Sequence, residues 1–131
     1  MKLNYKYYIL LAIIIFVGFM IKLPKPFVRY DKELHLAFYF LLMFFLFFQW
    51  SKWSFKKTVL SGLMSSGFGF FIEKSQAFSN RFFTRKIHGR FDWDDILANT
   101  TGILLFFVVW LALKMIRYVL TTIKNKNQAK I

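Results

Sequence analysis

Four apolar runs separated by charged stretches constrain this chain more than any motif it carries. Tyr7 to Ile21 is uninterrupted, and Lys22 and Leu23 extend it by letting the lysine amine reach the interface. Leu34 to Trp50, Thr58 to Ile72 and Ile96 to Met115 follow. Each run approaches the roughly 17–25 residues that cross hydrocarbon as a helix. With 57% hydrophobic residues in 131, the chain is expected to be all-α, a single domain forming an integral membrane bundle of four transmembrane helices. The expected spans are about 7–23, 34–50, 58–76 and 96–115, and the basic tail 117–131 is expected to fray.

The stretches between the runs read as boundaries. Lys22-Leu23-Pro24-Lys25-Pro26 stops the first helix, and no small-residue cleavage site follows Met20, so this segment reads as a retained membrane helix and not a signal peptide. Asp31 can cap the second helix through its carboxylate. Trp50 and Trp53, with Lys52, Lys56 and Lys57 beyond them, suit the headgroup level. In the third run Gly62, Ser66, Gly69, Glu73 and Gln76 fall on one helical face, so a seam of small residues leads to a carboxylate. The loop after Ser79 interleaves Arg81, Arg85, Lys86 and His88 with Phe82, Phe83 and Ile87, a pattern for the headgroup layer.

The net charge of +13 does not indicate nucleic acid, because the basic residues lie between apolar spans. Membrane lipids with anionic headgroups are the expected partners, and a membrane protein partner is a second one. Four spans put the amino terminus, the second loop and the tail on one side. Lysines and arginines divide almost evenly between the two sides, but all six acids and both histidines lie in or beside the first and third loops. The purely basic side is assigned to the cytoplasm, so the acids open outward. The chain has no cysteine, which excludes disulfides, thiol catalysis and cysteine zinc sites.

Ionisable groups at membrane depth are costly and usually face the bundle interior. Asp31, His35 and Tyr39 share one stripe at i, i+4 and i+8, and Asp95, Asn99, Gly102 and Phe106 share another. With Glu73 and Gln76 they are expected to converge at the outward mouth. His35, Asp31, Glu73 and Asp95 are the candidates for proton transfer; Lys32, Tyr39, Gln76, Arg90 and Asn99 are candidates for holding a ligand, Arg90 through a bidentate fork. A structural network joining helices would use the same residue types. Asp95, Asn99, Glu73 and His35 are donors that Mg, Ca or Zn accept, but their spacing is not diagnostic, so no metal and no cofactor is assigned. Ser65 and Ser66 have no base at a suitable spacing, and a serine nucleophile is not supported.

Asp31-Lys32-x-x-His35-x-x-x-Tyr39, Glu73-x-x-Gln76 and Arg90-x-x-x-x-Asp95-x-x-x-Asn99-x-x-Gly102 resemble, over about residues 28 to 110, the VanZ-like family. These are small bacterial membrane proteins named for teicoplanin resistance. The resemblance implies a multi-pass helical protein of the bacterial cytoplasmic membrane with a polar cluster; it implies neither a reaction nor resistance here. Trp93 and the crowding of Asp92, Asp94 and Asp95 stand apart from the motif. Two functions are expected from different classes: binding or modifying an anionic envelope lipid or lipid-linked cell-wall precursor, or service as a non-catalytic accessory of a larger membrane complex. Enzyme activity is left open.

Overall fold

The computed structural model describes residues 5–21, 28–49, 53–82 and 91–128, apart from the side chain of Tyr7. Among the described residues it is all-α, with no strand: α1 Tyr5–Met20, α2 Asp31–Gln49, α3 Phe55–Ser79 and α4 Trp93–Gln128. Arg90, Arg85, Lys86, His88, Trp50, Lys52 and the Lys22 to Pro26 turn lie outside the described residues.

The helix starts follow local chemistry. Asp31 and Glu33 in the first turn of α2, and Asp94 and Asp95 in that of α4, complement the helix dipole. Asp31 sits one residue further in than a cap, because the carbonyl of Tyr30 already accepts from the Leu34 amide at 2.9 Å. Ser54 caps α3, its Oγ accepting from the Lys57 amide at 3.4 Å. Asp92 Oδ1 accepts from the Asp94 amide at 2.8 Å and opens α4.

Neighbouring helices run in alternating directions. Tyr8 donates to Gln49 at 3.2 Å at one end. At the other, Gln76 Nε2 donates to the Phe19 carbonyl at 2.7 Å. The core lies between α2, α3 and α4 and holds Tyr39, Met43, Ile103, Phe106 and Trp110. Trp53 meets Phe47 and Phe106 edge-on, at centroid distances of 5.4 and 6.3 Å, and closes the far end of that core. Helix α1 is peripheral; Phe16 packs on Phe71 of α3, and Phe19 meets His35 and Phe38 edge-on.

Polarity is distributed inside out. His35, Thr58, Ser61, Ser65, Glu73, Asp95 and Asn99 are buried, whereas Ile13, Leu41, Leu63, Phe71 and Leu104 are among many large apolar side chains left exposed. Water would penalise such a surface, and hydrocarbon would not. By length and composition, α4 is apolar enough to cross a membrane. Its length differs from the expected span: the tail does not fray at Arg117 but continues helical to Gln128. No glycine or proline lies between Gly102 and Gln128 to stop it, and Lys126 complements the carbonyl end. Beyond Trp110 all described residues but Thr122 are exposed.

The seam expected on α3 is present with a small rotation: Ser65 is buried, and Ser66 only partly. Glycines set the closest approaches. A Cβ on Gly102 would collide with the backbone carbonyl of Leu36 and come within 3.1 Å of the Phe40 nitrogen. Since backbone cannot rotate away, α2 and α4 would have to separate. Gly102→Ala is therefore expected to cost about 1–3 kcal/mol of stability, measured by denaturant unfolding of the full chain in detergent. Gly67→Ala, with nothing within 4 Å of its added Cβ, is expected to be neutral or stabilising.

Candidate functional site

The polar residues of α2, α3 and α4 meet at the end of the bundle where α2 and α4 begin. Lys32, in the first turn of α2, is its outermost joint. Its ammonium donates to Asp92 Oδ2 at 2.6 Å and to Asp95 Oδ1, and stands 4.0 Å from Asp31 Oδ2. One cation thus gathers three carboxylates from two helices. Burial works against its charge, but the hydrogen bonds and charges of Asp92 and Asp95 outweigh that cost and hold the ammonium above the ordinary lysine range. The same bond, with the Asp94 amide, holds Asp92 below the ordinary carboxylate range.

One turn further in, His35 Nδ1–H donates to Asn99 Oδ1 at 2.8 Å, an amide placed by the first turns of α4. His35 Nε2 lies 3.9 Å from Asp31 Oδ1. Next comes Gly69 of α3: a Cβ there would lie 2.7 Å from the Tyr39 hydroxyl and 2.8 Å from Asn99 Nδ2. Both polar groups use the space that glycine leaves. Glu73 Oε2 accepts from the Asp92 amide at 3.4 Å.

Exposure falls steeply with depth. The side chains of Lys32 and Asp92 are 41% and 43% exposed, those of His35 and Asp95 8% and 11%. Tyr39 is fully buried, and Glu73 nearly so. The Tyr39 hydroxyl and Glu73 Oε1 are buried and have no hydrogen-bond partner among the described residues.

The structure thus brings together Asp31, Lys32, His35, Tyr39, Glu73, Asp95 and Asn99. Gln76 stands apart, its amide bound to the end of α1, and Arg90 lies outside the described residues. Asp92 is the joint that sequence reasoning missed; its signal was a surplus acid opposite Lys32. Trp93 packs edge-on against Phe91, which carries the Lys74 ammonium over its ring at 4.6 Å.

The sequence model of VanZ/LLP1 matches residues 6–116, from the start of α1 to beyond the last buried residue of α4. The chain belongs to the VanZ/LLP1 family. The match takes in α1, which the motif resemblance had left out, and covers every residue of the VanZ-like cluster just described. No curated protein and no solved structure matches the chain.

Two outcomes follow from the clasp. Asp95→Ala takes from Lys32 its most buried partner and empties a buried position, and is expected to cost about 1–3 kcal/mol more than Asp94→Ala, whose side chain is exposed. Equilibrium unfolding of both variants in detergent checks it. The lowered Asp92 value means that its pairing contributes fully above the ordinary carboxylate range and is lost as pH falls through the folded value; the raised Lys32 value keeps the pair intact to beyond the ordinary lysine range. The stability difference between wild type and Asp92→Asn should therefore be flat from about pH 5 to 9 and close below about pH 4.

Proposed function

We propose that this VanZ-family chain crosses the bacterial cytoplasmic membrane four times, with both termini in the cytoplasm, and that its outward cluster binds or acts on an anionic envelope lipid or lipid-linked cell-wall precursor. The apolar exterior of all four helices supports the topology. One observation carries the role: behind an open rim, the Tyr39 hydroxyl and Glu73 Oε1 are sealed in without partners among the described residues. A network kept only for helix packing is expected to pair every buried polar atom, because each orphan costs about 1–3 kcal/mol. A ligand oxygen reaching the cluster takes a donor from Tyr39. Lys32, together with Arg90, is cast as the anion holder, and His35 with Asp31 or Glu73 as the group that moves a proton.

The accessory reading has its own support in α4, whose final turns lie exposed well past the bundle and offer a surface for another subunit. Tyr39→Phe separates the two. It removes an unpaired hydroxyl, so the chain alone is expected to keep or gain stability, while retention of anionic lipid, read by native mass spectrometry of the full chain, drops about tenfold, equivalent to about 1.4 kcal/mol. Unchanged retention in this variant and in both His35→Gln and Glu73→Gln would leave only the accessory role. The topology has its own check, since the chain lacks cysteine: Lys56→Cys should resist an impermeant thiol reagent in intact cells.

A further inference from the structure

His35 Nδ1–H donates to Asn99 Oδ1, which leaves Nε2 facing Asp31 Oδ1, 3.9 Å away. That separation is too long for a hydrogen bond and leaves room for an ion between the two atoms. Asp95 supplies a third donor: one ligand atom from each of Asp31, His35 and Asp95 lies within 4.8 Å of the others. Two ligands on a tetrahedral zinc with bonds of about 2.0–2.1 Å stand about 3.3 Å apart, so side-chain adjustments of up to about 0.9 Å close the set. A buried imidazole whose other nitrogen donates to a carbonyl oxygen is the arrangement that metal-ligating histidines take. Glu73 points the same way independently. It is 2% exposed, and its Oε1 has no partner among the described residues.

We infer that Asp31, His35 and Asp95 form a site for one divalent transition-metal ion, for which Lys32 is the internal competitor. One imidazole and two carboxylates suit Zn or Mn better than Mg, which keeps its waters and prefers oxygen. Three protein ligands leave a coordination position open. The Lys32 ammonium holds Asp95 Oδ1 and stands 4.0 Å from Asp31, so the ion must displace or share it. The site uses residues of the envelope-lipid cluster but rests on ligand geometry alone.

The test uses the full chain in nanodiscs of phosphatidylcholine only, stripped with chelator, so the envelope-lipid reading can fail without it. Zinc is titrated by calorimetry, and cobalt is added for its visible absorption. The expected result is one equivalent per chain with the absorption of a nitrogen and oxygen ligand set. His35→Gln and Asp31→Asn should each weaken binding about 100-fold, Lys32→Met should tighten it about tenfold, and Asp94→Asn should leave it unchanged. Helical circular dichroism and a single elution peak certify each variant. Asp31→Asn, at the more open rim, serves if His35→Gln does not fold, and the gain from Lys32→Met cannot arise from unfolding. Less than one equivalent bound by both wild type and Lys32→Met at millimolar zinc overturns the site. So does wild-type affinity in a folded His35→Gln or Asp31→Asn.

Discussion

The ammonium of Lys32 among Asp31, Asp92 and Asp95 is the interaction on which the polar end of this bundle depends. Without it, carboxylates from α2 and α4 would meet with nothing between them, and like charges at such range disfavour the very approach that brings His35 to Asn99. Its worth is limited by water at the rim, since Lys32 and Asp92 are each about two-fifths exposed. The clasp therefore fixes register more than it supplies stability. Asp95, mostly buried, is the member of the clasp that water screens least.

Register also has a steric origin. Gly102 lets α4 touch the backbone of α2 at Leu36, and Gly69 opens the space that the Tyr39 hydroxyl and the Asn99 amide occupy. These contacts lie one to two turns below the clasp. Close approach at Gly102 brings the opening turns of α2 and α4 within reach of a lysine side chain, and Gly69 admits the two polar groups from the third side. Tyr39, Met43 and Phe106 fill the bundle below, with Ser65 donating to the Met43 sulfur at 3.7 Å. The ring of polar contacts and the aromatic core are thus two ends of one seam.

Much of this was legible in the sequence, for a reason that also marks its limit. Helical periodicity is a property of single segments, so the inward stripes His35, Tyr39 on α2 and Asp95, Asn99, Gly102, Phe106 on α4 could be read residue by residue. Pairings across helices depend on relative height and rotation, which no single segment carries. The sequence offers Lys32 as an anion holder, and its bond to Asp92, a residue without a place in the periodic stripes, is not legible there. Gln76 was read by its face, yet its partner is a carbonyl of α1, whose height against α3 periodicity does not specify. The end of α4 was judged by polarity, but polarity does not stop a helix that lacks glycine, proline or a competing cap.

Because lipid tails solvate leucine as well as another leucine does, helices in a membrane are held by packing and polar pairs and not by hydrophobic exclusion. Where polar pairs join helices, the residues that hold them are also the ones able to do chemistry, and in this chain they coincide at His35, Asn99, Asp95 and Glu73. Truncation to alanine at any of them removes a pairing as well as a functional group, so lost activity alone would not distinguish a site from a strut. The unpaired atoms break that tie. A strut gains when the Tyr39 hydroxyl is removed, because an unsatisfied buried group is removed with it, whereas a site loses its ligand contact. The sign of the effect on stability, set beside the sign of the effect on binding, is what separates the two roles.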